Sequence, residues 1–215
     1  MSEILHRLAW HGIIPVVVVD DARDADALAA ALVGGGLPVA EVTFRTDAAA
    51  DAIRAIAARG DVLVGAGTVL TPAQVDVAVA AGASYVVSPG TSRAVVERCH
   101  EHGVPVLPGA VTASEVQAAL ELGLSAVKFF PAATSGGAAA VAVLAAPFPG
   151  VGFVPTGGIG PGSVVEYLAL PAVLAVGGSW MVSRDLVRNG DFDAIRDMTA
   201  RAVSLIDDRR PSAEE

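Results

Sequence analysis

The chain has 215 residues, 53% of them hydrophobic and 17% charged, which suits one domain with a large core. A net charge of -9 excludes a phosphate-backbone binder, whose surface must be basic, and requires any anionic substrate to be met by a local positive site. One cysteine, Cys99, excludes an internal disulfide, no apolar run reaches the ~18 residues of a membrane span, and the N-terminus lacks a signal-peptide pattern, so the expected location is the reducing cytoplasm.

In chain order, residues 2–11 read as a short helix able to plug the bottom of a barrel. Residues 13–19 (IIPVVVV) form a continuous apolar, branched run, hence a buried strand. A helix over 22–33 is stopped by Gly34, Gly35 and Gly36. The next strand is 39–44, and the next helix 47–58, with Asp47 placed to cap it. A strand at 62–65 leads to a helix running to about residue 80, with Thr71 at N-cap and Pro72 at N1. Strands at 85–87 and 104–107 alternate with helices at 92–101 and 113–122, the latter closed by Gly123. A strand at 126–130 carries Lys128, and a helix follows at 137–145. Strands at 152–154 and 174–176 alternate with helices at 162–169 and 192–206, and the polar tail 208–215 is expected to be disordered.

About eight strand–helix units with tight connections indicate a parallel sheet covered by helices, closed into a single-domain (β/α)8 barrel. The alternative is an open doubly wound sheet, which usually has fewer strands. In a barrel, sites lie at the C-terminal strand ends. Those ends carry Glu41-Val42-Thr43-Phe44-Arg45, Gly65-Ala66-Gly67-Thr68, Ser88-Pro89-Gly90, Lys128-Phe129-Phe130-Pro131, Thr156-Gly157-Gly158 and Gly177-Gly178-Ser179.

Lys128 is the only lysine among 14 basic residues, and it sits in an apolar strand. Arginine there would supply charge but no nucleophilic amine, and burial favours the uncharged amine that attacks carbonyls. Strand alternation points Glu41, Thr43 and Arg45 into the barrel, where a carboxylate and a guanidinium must be paired or used. The bland readings are a structural Glu41–Arg45 pair at the rim and a structural Lys128–Glu41 pair. Glycines at two adjacent strand ends suit an anion, because Gly157, Gly158 and Gly178 let backbone N–H groups approach it closely and Ser179 adds a hydroxyl. Each Gly-Gly alone reads equally as a tight turn.

Taken together and in order, these segments resemble those of the 2-keto-3-deoxy-6-phosphogluconate/4-hydroxy-2-oxoglutarate aldolases over nearly the whole chain, most specifically in E-V-T-F-R-T and K-F-F-P. The resemblance implies a metal-free and cofactor-free class I aldolase, usually a homotrimer, that releases pyruvate from a short 2-keto acid. It implies Lys128 as the Schiff-base residue and Glu41 as the general acid/base. It places Arg45 and Thr68 around the substrate carboxylate and Pro89 and Phe130 along the pocket. Thr156, Gly157, Gly158, Gly178 and Ser179 would receive the distal end, including a phosphate. Ala132-Ala133-Thr134-Ser135 departs from the familiar pattern at the rim.

Two other functions use the same residues. A phosphate-binding barrel isomerase or synthase would share the glycine loops, and a non-catalytic barrel would bind without turnover. The four histidines, His6, His11, His100 and His102, fall on helices or their ends without metal-ligand geometry. Cys99 reads as a small packed residue. Gly65-Ala66-Gly67 lacks the third glycine of a dinucleotide fingerprint, so no nicotinamide cofactor is expected.

Overall fold

A computed structural model describes residues 2–206, and the tail 208–215 lies outside the described residues. Helix α1 (Glu3–His11) is capped by Ser2 and ended by Gly12 in the left-handed region. Its Leu5 and Leu8 are buried, and Ser2 and Leu5 line a pocket together with Val104–Val106 and Leu124–Ala126 at the N-terminal ends of two strands. Eight strands follow: β1 (Ile13–Val17), β2 (Val39–Thr43), β3 (Leu63–Gly67), β4 (Val86–Val87), β5 (Val106–Leu107), β6 (Ala126–Phe129), β7 (Gly152–Pro155) and β8 (Val176–Gly178).

Every strand pair is parallel, which requires each connection to cross over the sheet. Six strands run in the order β5-β4-β3-β2-β1-β8, and β6 pairs with β7. Two seams close the ring. At one, Lys128 N–H donates to Pro108 O at 2.8 Å and Ala110 N–H donates to Lys128 O at 2.8 Å. At the other, single bridges join Phe153 to Val173 and Thr156 to Gly177. The outcome is the expected (β/α)8 barrel.

The crossovers are α2 (Ala25–Gly34), α3 (Ala49–Arg59), α4 (Pro72–Ala80), α5 (Arg93–Glu101), α6 (Ala113–Glu121), α7 (Gly137–Ala145) and α8 (Val164–Leu168), followed by α9 (Arg184–Asn189) and α10 (Phe192–Ser204). Local chemistry explains several starts. Thr71 accepts from Gln74 N–H with Pro72 at the first helical position. Thr112 and Glu115 form a reciprocal capping box on α6. Asp47 does not cap α3, which starts two residues later at Ala49 without a side-chain cap. Helix α9, of six residues, is an element that periodicity does not mark, and Ser183 caps it by accepting from Leu186 N–H. No helix among the described residues is long and apolar enough to cross a membrane.

The barrel interior is filled by side chains, and its tightest packing falls where one strand carries glycine. Tyr85 is fully buried and donates from its hydroxyl to Ala40 O at 2.9 Å. Burial, and then the Glu41 carboxylate, push this phenol well above its ordinary range, so it stays a neutral donor. A Cβ on Gly65 would stand 2.3 Å from the Tyr85 ring. Gly65→Ala should therefore destabilise the fold by about 1–3 kcal/mol through overpacking. Combined with Tyr85→Val, it should cost less than the sum of the two single changes, as denaturant midpoints in a double-mutant cycle would show.

Candidate active site

The sequence order places Glu41 on β2 and Lys128 on β6, and the ring order places those strands opposite each other. Their side chains meet inside the barrel. Lys128 Nζ donates to Glu41 Oε1 at 3.1 Å, with the two residues only 6% and 2% exposed. A pair so buried loses the hydration of both charges, which costs several kcal/mol per ion and persists only with close contact. Room for the carboxylate comes from β3, where a Cβ on Gly67 would lie 2.2 Å from Glu41 Oε1. The Phe130 ring centroid lies 5.2 Å from Lys128 Nζ and adds a cation–π contact to the paired amine.

Alternation from Glu41 holds as far as Thr43, which is buried and donates to Val17 O at 2.9 Å. It fails for Arg45. The strand ends at Thr43, Arg45 N–H turns back to Thr43 O, and the Arg45 side chain is exposed at the rim. Glu41 consequently pairs with Lys128 and not with Arg45, and the Arg45 guanidinium has no ion-pair partner among the described residues. This corrects the expectation that Arg45 faces the barrel interior.

A cleft of about 440 Å³ opens on the β6–β8 and β1–β2 side of the barrel mouth; neither Lys128 nor Glu41 lines it, and Phe130, whose ring lies against Lys128 Nζ, connects it to the pair. Seven of the expected residues line it: Arg45, Phe130, Thr156, Gly157, Gly158, Gly178 and Ser179. Gly157 and Gly158 have φ values of 101° and 73°, the left-handed region that favours glycine. Ala133 packs against Gly158, where a Cβ would come within 2.6 Å of its own, and Ala133 N–H donates to Gly157 O at 3.0 Å. The unfamiliar segment after the lysine strand therefore buttresses the glycine turn. Thr156 packs against Gly177, whose Cβ would be 2.3 Å from its hydroxyl.

Thr68, after β3, and Pro89, after β4, do not line this cleft. Thr68 directly follows Gly67 and is the one non-glycine residue with positive φ, 59°, among those described. A β-branched residue there is strained, and such strain clusters at functional sites. The Pro89 carbonyl lies over Gly109, where a Cβ would be 2.0 Å from its oxygen, and Gly109 bridges to Lys128.

Sequence reasoning missed Ser183 and Arg184, which complete the far wall. Arg184 is held by Asp20 through Nε at 2.9 Å and Nη2 at 2.5 Å. The signal available was a basic residue five positions after Ser179 in a chain with few bases. Among the described residues, no group of three or more His, Cys, Asp or Glu side chains is placed to hold a metal ion.

The fold and the comparisons that follow make the chain a barrel lyase. The chain belongs to the KDPG and KHG aldolase family, whose sequence model matches residues 4–198. It is 50% identical to a 2-dehydro-3-deoxy-phosphogluconate aldolase of Treponema pallidum, over 96% of this chain and 99% of that protein. A Legionella pneumophila KDPG aldolase with pyruvate captured as a covalent carbinolamine superposes with a TM-score of 0.89 at 39% identity, covering 93% of this chain and 98% of that one. The Zymomonas mobilis enzyme with 3-phosphoglycerate gives 0.87 at 40% identity, with 95% and 97% covered.

Gly67 lacks positive φ, so alanine there is acceptable to the backbone and its effect falls on Glu41. Gly67→Ala should move the Glu41 carboxylate off Lys128 and cut aldol cleavage at least about tenfold, the scale expected for a misplaced catalytic group. A crystal structure of the variant, read beside its kinetics, checks both effects.

Proposed function

We propose that this chain is a cytoplasmic class I aldolase that cleaves 2-keto-3-deoxy-6-phosphogluconate to pyruvate and glyceraldehyde 3-phosphate. The same chemistry extends to 4-hydroxy-2-oxoglutarate, which yields pyruvate and glyoxylate. The observation that carries this reading is the buried 3.1 Å contact between Lys128 Nζ and Glu41 Oε1. The pyruvate carbinolamine of the Legionella relative supports it, as does the phosphorylated ligand of the Zymomonas relative.

In this mechanism Glu41 accepts a proton from Lys128, and the free amine adds to the C2 carbonyl. Glu41 returns the proton to the carbinolamine hydroxyl, water leaves, and a protonated imine remains. The Glu41 carboxylate then takes the C4 hydroxyl proton. The C3–C4 bond breaks, the aldehyde departs, and the electron pair flows through C3 into the imine to give an enamine. Glu41 protonates C3. Water adds at C2, pyruvate leaves, and Lys128 is released as an ammonium ion. One carboxylate serves every step because proton acceptance and donation alternate.

Arg45, without an ion-pair partner among the described residues, holds the substrate carboxylate together with Thr68. Pro89 and Phe130 wall the reacting carbons. Gly157, Gly158, Gly178 and Ser179 receive the distal end, with Thr156 beneath. Burial pushes the Cys99 thiol up to about 12, so it stays protonated, in keeping with a packed residue. A homotrimer is proposed from the family resemblance.

Lys128→Arg keeps charge and removes the nucleophile, so pyruvate release in a lactate dehydrogenase-coupled assay should vanish. Appreciable cleavage by this variant excludes the covalent mechanism. Glu41→Gln should slow turnover by about 10²–10⁴-fold, the range for a general acid/base, and normal turnover excludes its role.

A further inference from the structure

We propose that Arg184, oriented by Asp20, is the specificity-determining residue that selects a terminal phosphate monoester on the aldehyde-side end of the substrate. The inference rests on the aldolase reading above and concerns the far wall of the same cleft. The glycine turns offer neutral N–H donors, which orient an anion without matching a double charge. In a protein of net charge -9, a guanidinium at that end would favour a phosphate dianion over a neutral terminus.

Arg45 stands on the β2 side of the cleft, on a different element from the glycine turns. Arg184 lies in the wall formed by Ser179 and Ser183, beside the glycine turns. Its side chain is half exposed and contributes to the cleft lining. Asp20 engages the Nε–Nη2 edge, which fixes the guanidinium plane. Nη1 makes no hydrogen bond among the described residues and keeps its two N–H donors for a ligand.

Arg188 Nε approaches the same Asp20 carboxylate at 3.7 Å. Two guanidiniums thus share the Asp20 carboxylate, and Asp185 also acts on Arg184, so what Arg184 offers a ligand is oriented donors and not a surplus of charge. The hydrogen bond from Arg184 holds the Asp20 carboxyl below its usual range, so the clamp stays ionised. A carboxylate beside an anion site is unfavourable in itself. Its value here is orientation, which a flexible arginine lacks alone.

The test is steady-state kinetics of wild type, Arg184→Ala, Arg184→Lys and Asp20→Asn. The substrates are 2-keto-3-deoxy-6-phosphogluconate and its unphosphorylated counterpart. Arg184→Ala should lower the ratio of kcat/KM for the phosphorylated over the unphosphorylated substrate about tenfold, mainly through KM, and weaken inhibition by inorganic phosphate. Arg184→Lys should recover part of the ratio, since charge returns without the fork. Asp20→Asn adds net positive charge yet should raise KM for the phosphorylated substrate; a lower KM overturns the positioning role of Asp20. An active wild type with an unchanged ratio in Arg184→Ala overturns the inference alone. A wild type that releases no pyruvate from either substrate overturns the aldolase reading and the inference with it.

Discussion

Two ionisable side chains in contact across the middle of an apolar barrel set the terms for the rest of this molecule. Neither Lys128 nor Glu41 has bulk water to fall back on, so each depends on the 3.1 Å contact with the other. Because β2 and β6 lie opposite in the ring, that contact exists only if the barrel closes. Closure in turn runs through the lysine itself, whose backbone N–H and C=O bond to the strand-five segment at Pro108 and Ala110. The residue proposed to do the chemistry is also a structural stitch. The surrounding sequence is fitted to the pair: Gly67 clears space for the carboxylate, Gly65 for the tyrosine behind it, and Gly109 for the Pro89 carbonyl.

At the barrel mouth, the cleft solves an electrostatic problem that an acidic protein faces with an acidic substrate. Positive charge is placed locally, at Arg45 on one wall and Arg184 on the other, with glycine turns presenting backbone between them. Lys128 carries no such duty, since its partner Glu41 is already in place. On the proposed reading, this separation leaves the amine to react while the guanidiniums bind.

The fold was legible because its signals are local. Apolar runs such as Ile13–Val17, the Thr71-Pro72 start and the glycine stops each follow from a few adjacent residues. Strand ends were less legible. β4 and β5 have two residues each, since regular pairing is short there and single bridges finish the ring. Asp47 looked like a cap but lies outside the helix it was expected to start, and the six-residue α9 is too short for periodicity to mark. In the site, motif order located Lys128, Glu41 and the glycine turns. It did not give their partners. Lys128 and Glu41 are separated by 87 positions and Arg184 and Asp20 by 164, and such contacts follow from ring closure alone. Arg45 was misread because alternation was carried past the end of its strand.

The most direct measurement is reductive trapping: pyruvate and borohydride added to the intact protein, followed by whole-protein and peptide mass analysis. Lys128 is the sole lysine, so it and the N-terminal amine are the only amines able to form a reducible imine. The account predicts a single pyruvyl adduct on the peptide containing Lys128. A folded protein that carries no adduct there, or carries it only at the N-terminus, contradicts it.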